Sequence, residues 1–483
     1  MQFLLAKASA VTIVPKGAEE AVKAFPMIKD EWRMWGGNPG RNMVNPFATG
    51  ILGDWDVTNG KNIKGKADLG SQSYGNPVIA EGRVLVGTNN DRHRDPTIKG
   101  DKGVIMCFSE KDLSFQWQLV HDKLTSGRVN DWPEQGICSS PVVEDGKFYY
   151  VSNQCQIVCA DLGGLADGNA GPYKDEKYTS KKDGDIIWVY DMIEEMGVFP
   201  HNLATCSPLV VGDVVLVVTS NGVERDHITI PSPRSPSFLA VDKKTGKYLW
   251  DSADPGENIL HGQWSTPAYG VSGGKPQVVF PGGDGWIYSY EPKTGKLIWK
   301  FDCNPKDSKW ELGGLGTRNN VISTPVFYGD SVYIAVGQDP EHGEGIGNLF
   351  RIQADGTGDV TKTKKVWAYG GEDYRRTIST VAIHEGLVYA ADLSGFLYCL
   401  DQETGKPYWK HDLLAAVWGS PTVIDGKVYI GDEDGDVLVC KTGKKFEKIA
   451  EMNMDNSVYS TPVAAKGVLY INNRTTLYAI SKD

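Results

Sequence analysis

The sequence lacks most of the features that assign a function at sight. Its eight cysteines include no CxxC, no CxxCH and no adjacent pair, so a dithiol redox motif and a covalently held c-type haem are both excluded. No apolar run approaches the roughly 18 residues that span a bilayer. Basic residues are in deficit: 50 Lys and Arg against 61 Asp and Glu leave a formal net charge of −11. Phosphate binding needs a basic excess on one face, which argues against a nucleic-acid partner. No Walker loop, GxGxxG setting or nucleophile elbow is present. The opening "MQFLLAKASAVTIVPK" has a short apolar stretch but no basic leading region. It reads as a weak or trimmed signal peptide, or equally as the start of a soluble chain.

What the chain has in quantity is self-similarity. "LAVDKKTGKYLW" (239–250), "YSYEPKTGKLIW" (288–299) and "YCLDQETGKPYW" (398–409) share a turn and a terminal tryptophan. A second unit, "SSPVVEDGKFYYV", "STPVFYGDSVYIAV" and "GSPTVIDGKVYIG" among others, reads as strand, tight turn, strand. Its proline marks a register: Pro77, Pro141, Pro208, Pro267, Pro325, Pro421 and Pro462, with Val381 once in the slot. These eight marks lie 40 to 67 residues apart. A four-stranded unit at that period predicts an all-β fold, an eight-bladed β-propeller of four-stranded blades. The last repeat stops one strand short, and "WDVTNGKNIKGKADL" (55–69) imitates the missing one. The ring is therefore expected to be closed by an N-terminal strand, which removes open edges. Residues 1–54 form an extension and lead-in, residues 55–483 one propeller, and blade 8 is shared between 55–69 and 456–483. Cys107, Cys159 and Cys399 fall on equivalent strands, too far apart to bridge. Cys138 and Cys206 are the pair left to check.

With strands a to d numbered outward from the axis, the a–b and c–d turns share one face. That face is tight ("EDGK", "PKTG", "QETG") apart from an insert at 161–183. The b–c and d–a loops share the other face and carry nearly all the remaining excess length, as in "NGVERDHITIPSPRSPS" and "NPKDSKWELGGLGTRNN". Function concentrates on loops held by a rigid scaffold, so this second face is the working one.

Six residues before the repeat proline stand Ser71, Gln135, Asn202, His261, Asn319, Arg375 and Asn456, with Ala415 the one apolar member. Three before it, Tyr74, Trp264, Trp418 and Tyr459 place aromatics at the channel mouth, and Glu134, His201, Arg318 and Tyr374 lie one position farther out. Two readings stand side by side. A polar ring over aromatic faces suits a small polar ligand that can stack, a sugar or a quinone. A water-filled channel mouth needs polar residues in any case. The expected ligand-binding set is Gln135, Asn202, His261, Trp264, Arg318, Asn319, Arg375, Trp418 and Tyr459.

The "D-x-x-T-G-K-x-x-W" and "[ST]-[ST]-P" units, together with "WRMWGGNPGRNMVN", resemble the pyrroloquinoline-quinone (PQQ) type of propeller repeat. The resemblance runs over nearly the whole chain from Trp32, and is nearest to exported members without an assigned activity. It implies a periplasmic or extracellular protein. It also implies one of two activities: a scaffold that engages a glycan or an envelope protein, or a PQQ-dependent dehydrogenase acting on an alcohol or sugar. In the second case PQQ and Ca²⁺ are the cofactors, Trp264 or Trp418 would stack, and Arg318 or Arg375 would polarise a quinone oxygen. The vicinal disulfide and an unambiguous metal triad of such dehydrogenases are not found.

One loop stands out, "VGQDPEHGEGIG" (336–347), where Asp339, Glu341, His342 and Glu344 crowd within six positions. It reads as a solvated turn, as a ligand-contacting loop, as a cation site formed by Asp339 and Glu341, with Glu311 as a further oxygen donor, or as an acid/base pair. Asp339, Glu341, His342 and Glu311 are the catalytic candidates, and Asp339 with Glu341 the metal candidates. A glycan hydrolase or lyase would instead pair His201 or His261 with Glu134 or Glu311. "GDEDGD" (431–436) lacks the twelfth-position Glu of an EF-hand and reads as a hairpin turn. Trp250, Trp299 and Trp409 belong to outer strands and are read as packing.

Overall fold

The structure is a computed structural model and describes residues 27–482; the candidate signal segment lies outside the described residues. Eight sheets form a ring, each built on four antiparallel strands, in chain order except in blade 8; two carry a short parallel fifth strand. Blade 1 comprises Val78–Ala80, Arg83–Asn89, Lys102–Ser109 and Phe115–Asp122. Blade 8 takes Val463–Ala465, Val468–Asn472 and Thr476–Ile480 from the C-terminus. Its outer strand is Ile63–Asp68, paired antiparallel to Thr476–Ile480 with Lys66 opposite Tyr478. The ring is thus closed by an N-terminal strand, as the truncated last repeat predicts.

Burial follows from the ring. A second strand such as Val214–Val218 is buried at every position because blades cover it on both sides, so it reads as a continuous apolar run. A fourth strand such as Leu297–Asp302 alternates, since only its inner face is covered. The T-G-K-x-x-W unit links neighbouring blades. The indole Nε1 of Trp188, Trp250, Trp367 and Trp409 donates to Lys243 O, Pro292 O, Gln402 O and Gly443 O, each carbonyl lying in the next blade. The turn glycine has to be glycine. Gly405 has φ +70°, and a Cβ there would meet the Trp367 ring at 2.6 Å. Trp299 differs, donating to Gln277 within its own blade, where Gly358–Asp359 adds a short parallel fifth strand beside it. All eight cysteines are unpaired, so Cys138 and Cys206 form no bridge.

Within the lead-in expected at 1–54, the segment 32–45 forms a plug. Trp32 pairs with Ile79 of blade 1, and Arg33 O accepts from Val143 N of blade 2. The Arg41 guanidinium donates to Ser207 O and Pro208 O of blade 3 and to Pro267 O of blade 4. Gly40 O accepts from Phe327 N of blade 5, Asn42 exchanges bonds with Ile383 of blade 6, Met43 O accepts from Val423 N of blade 7, and Asn45 Nδ2 donates to Ala464 O of blade 8. Every innermost strand is touched. Most of these contacts fall beside the a–b turns, so the plug sits at the tight-turn end of the channel.

Candidate functional site

On the loop-rich face, blades 3, 4 and 5 bring together side chains far apart in sequence. His201 comes from the segment leading into blade 3, His227 from its b–c loop, and His261 from the segment leading into blade 4. Asp339, Glu341 and His342 come from the b–c loop of blade 5. The imidazole centroids of His201 and His227 lie 4.3 and 4.5 Å from that of His261, and His342 lies 4.3 Å from it. Close approach of these loops depends on Gly222, where a Cβ would fall 2.6 Å from both His201 Cβ and His261 O.

The hydrogen bonds around the cluster point its remaining lone pairs inward. His201 Nδ1 lies 2.7 Å from Val223 O; a carbonyl only accepts, so the proton is on Nδ1 and Nε2 carries the lone pair. That Nε2 is buried with no partner. Asp339 is 3% exposed. Its Oδ1 accepts from Glu341 N at 2.8 Å, capping the turn, which leaves Oδ2 free to face His261. Asp339 Oδ2 and His261 Nδ1 are 3.0 Å apart, yet neither makes a hydrogen bond of normal geometry, and His261 Nε2 is also unpartnered. His227 Nδ1 lies 3.1 Å from His342 Nε2. Glu341 is exposed and approaches His261 Nε2 at 3.6 Å.

Burial, with the neighbouring imidazoles, pushes His201 down to about 3 and His342 to about 4, and lowers His227. Burial raises the Asp339 carboxyl, but His261 and His342 outweigh it and the net shift is downward. At neutral pH His201, His227 and His342 are therefore neutral, beside an ionised Asp339. Two overlapping sets, His201–His227–His261 and His261–Asp339–His342, each place one ligand atom per residue within 4.8 Å of the others.

A shallow depression of about 20 Å³ adjoins the Asp339 and His342 side, lined also by Glu311, Arg318, Asn320 and Gln338. Arg318 Nε is buried and unpartnered there. The 336–347 loop is tied to blade 6 by Arg376, which donates to Pro340 O and Gly343 O. Trp264 covers the cluster: its Nε1 donates to His201 O at 2.9 Å and its ring meets His261 edge-on at 5.0 Å.

The remaining residues of the sequence-derived set lie apart. Trp418 and Tyr459 form a second aromatic group on blades 7 and 8, where Tyr459 stacks on Tyr74 at 4.9 Å. Arg375 pairs with Glu344 at 3.0 Å on the exposed rim. Asn319 Nδ2 donates to Cys303 O. Asn202 acts through its backbone, accepting from Trp132 N with φ +61°. Gln135 is half-buried and its backbone N–H donates to Trp132 O at 3.5 Å. Sequence reasoning did not single out His227, which lies in a loop with no repeat landmark. The signal available was a histidine on a working-face loop of the blade that carries His201. In the 431–436 turn, Asp432 Oδ1 accepts from Asp436 N at 2.9 Å, as a hairpin requires.

The profile of the outer membrane protein assembly factor BamB family matches residues 170–340 and 359–445, more than half of the chain. The chain belongs to this family of PQQ-type repeat propellers. Among individual proteins it is similar to tetrathionate hydrolase of Acidithiobacillus ferrooxidans, 26% identical over 42% of this chain and 38% of that one. It is also similar to BamB of Yersinia pestis, 24% identical over 62% of this chain and 65% of that one. The chain thus spans less than two thirds of the length of these curated relatives. Its fold is shared with the quinohemoprotein alcohol dehydrogenase ADH-IIG of Pseudomonas putida, at TM-score 0.59 and 13% identity, over 99% of this chain and 83% of that one.

Proposed function

We propose that the protein is an exported binding propeller whose loop-rich face receives a segment of a protein partner over the depression at blades 3–5. The observation that carries this is the placement of exposed apolar side chains. Ile228, Trp310, Leu315, Ile346 and Leu414 all project from loops of that face, with Leu315 at 72% exposure. The first four surround the depression. Apolar groups rimming a polar pocket are what a docking face presents. The other exposed large apolar residues, such as Tyr248, Leu297 and Ile449, lie on outer strands. The relative from Yersinia pestis is named an assembly factor of the outer membrane, which supports both a protein partner and a place in the cell envelope.

The competing reading is a PQQ-dependent alcohol dehydrogenase, the activity named for several relatives. The residues present do not suit that cofactor pair. Calcium takes six to eight oxygens, whereas both ligand sets here are dominated by imidazole. Trp264, the nearest stacking candidate, presents its ring to His261 rather than to open space.

Two measurements test the proposal. A photo-crosslinking residue at Leu315 should give a discrete protein adduct in envelope extracts, and one at Ile449 on the outer strand of blade 7 should not. Titration of the purified chain with PQQ and Ca²⁺ should leave its melting temperature unchanged. A saturable, calcium-dependent upshift, or equal adducts at both positions, would replace the binding reading.

A further inference from the structure

The family relationship supplies no explanation for four imidazoles packed in the working face. Buried polar atoms are nearly always partnered, because an orphan forfeits its hydration without return. Here the cluster departs from that rule: His201 Nε2 and His261 Nε2 are buried without a hydrogen-bond partner, and on the other edge of the His261 ring Nδ1 meets Asp339 Oδ2 at 3.0 Å out of hydrogen-bonding alignment. His261 is wholly buried. Its Nε2 has no hydrogen-bond partner, and its Nδ1 has only the Asp339 carboxylate beside it.

The geometry points to a bound divalent transition-metal ion held by His201, His227 and His261, with Asp339 and His342 forming an adjoining set that shares His261. Three independent features agree with it. First, Asp339 Oδ2 and His261 Nδ1 approach to 3.0 Å, and His227 Nδ1 and His342 Nε2 to 3.1 Å. Ligands about 2.0–2.1 Å from a common ion are separated by about this much. Second, the outer atoms are engaged while the inner ones are free. His201 gives its Nδ1 proton to a backbone carbonyl and Asp339 uses Oδ1 for a turn amide, the pattern by which surrounding groups orient metal ligands. Third, the donors are imidazole nitrogen with one carboxylate, which suits Zn²⁺, Cu²⁺ or Co²⁺ rather than calcium or magnesium. His261 belongs to both ligand sets and is the pivot of the site. Asp339 and His342 also wall the depression, so the ion has one side open to a small ligand.

This inference does not depend on the partner reading, since its tests use the purified chain alone. The full chain is stripped with chelator, loaded separately with Zn²⁺ and Co²⁺, passed through gel filtration and assayed for metal by mass spectrometry. At least about one equivalent should be retained, and the Co²⁺ form should show the intense visible bands of a four- or five-coordinate ion. His261→Ala should weaken retention at least about tenfold. Because a buried change can disturb folding, His227→Ala, on a half-exposed loop residue, should weaken it too, while His93→Ala on another loop of the same face should not. Retention below about a tenth of an equivalent in the folded wild-type chain overturns the inference. So does retention that survives both site variants unchanged.

Discussion

The two ends of the channel solve opposite problems with similar materials. At the tight-turn end, 14 consecutive residues from Trp32 to Asn45 cross the ring and match polar group to polar group, blade after blade. Arg41 illustrates the outcome: fully buried, with its donors spent on the carbonyls of Trp35, Pro267, Ser207 and Pro208. At the loop-rich end, His201, His261, Asp339, Arg318, Asn319 and Asn320 all retain buried atoms without partners. One end is satisfied and built for stability. The other is left unsatisfied, at a cost the ring has to carry, which is the usual mark of a site made to meet something else. The comparison is open to attack at both ends.

The largest effect is expected at the plug. Arg41→Ala leaves buried carbonyls of three chain segments unpaired and opens a cavity, and should cost about 4 kcal/mol. Urea unfolding measures it. A loss below about 1 kcal/mol would mean that the plug decorates a ring already stable without it.

Acid should produce the next largest change. His121 is buried between Tyr150 and Gln154, and burial pushes it from 6.5 to about 4. The unfolded chain then binds a proton that the folded chain refuses, so stability is intact above pH 6.5 and falls as the pH drops toward 4. At about 1.4 kcal/mol per unit the loss is up to about 3 kcal/mol from this residue. His121→Phe should flatten part of the slope in chelator-treated protein, measured as urea midpoints across that range. An unchanged slope would assign the acid sensitivity to the imidazoles of the loop-rich face instead.

A smaller effect separates packing from turn geometry on the tight face. Gly405 and Gly426 have nearly equal φ, +70° and +69°, but only Gly405 is roofed by an indole; nothing lies within 4 Å of a Cβ at Gly426. Gly405→Ala should cost about 2–3 kcal/mol and Gly426→Ala about 1 kcal/mol, the left-handed backbone alone. Equal losses in thermal unfolding would remove the interlocking of blades as the reason for the repeat glycine.

How much of this was legible in sequence follows from the same contrast. The blades were, because each must bury a second strand on both faces and fit a tryptophan against its neighbour's turn, so Pro208, Gly295 and Trp250 recur in register. His261 and His201 were reachable through that register, and Asp339, Glu341 and His342 through their density in one loop. That they meet was not legible, because the approach of blade 3 and blade 5 loops across blade 4 is a property of the ring. His227 had no register at all. The plug was hidden for a similar reason: Arg33, Pro39, Gly40, Asn42 and Asn45 each address a different blade, largely through backbone groups, which leaves no period to detect. The aromatic positions Trp418 and Tyr459 show the limit of alignment alone, since equivalent slots in a ring point to different sectors of the mouth.

The smallest effect has the opposite sign from the rest and bears most directly on the comparison. If the loop-rich end holds groups whose partner is absent from the metal-free chain, replacing two of them together by apolar side chains of similar size should relieve the fold. His261→Leu combined with Asp339→Leu removes both members of the 3.0 Å buried pair and the unpartnered Nε2, and should make the chelator-treated protein more stable by about 1 kcal/mol. It should also abolish the upshift in melting temperature that Zn²⁺ confers on the wild-type chain, since an ion that binds only the folded form stabilises it by mass action. The two readings together matter. A variant that is steadier without metal and indifferent to it marks His261 and Asp339 as retained for their ligand at the expense of the fold. A variant that is less stable in both conditions would show instead that the pair is held by packing, and that the two ends of the channel differ in shape rather than in purpose.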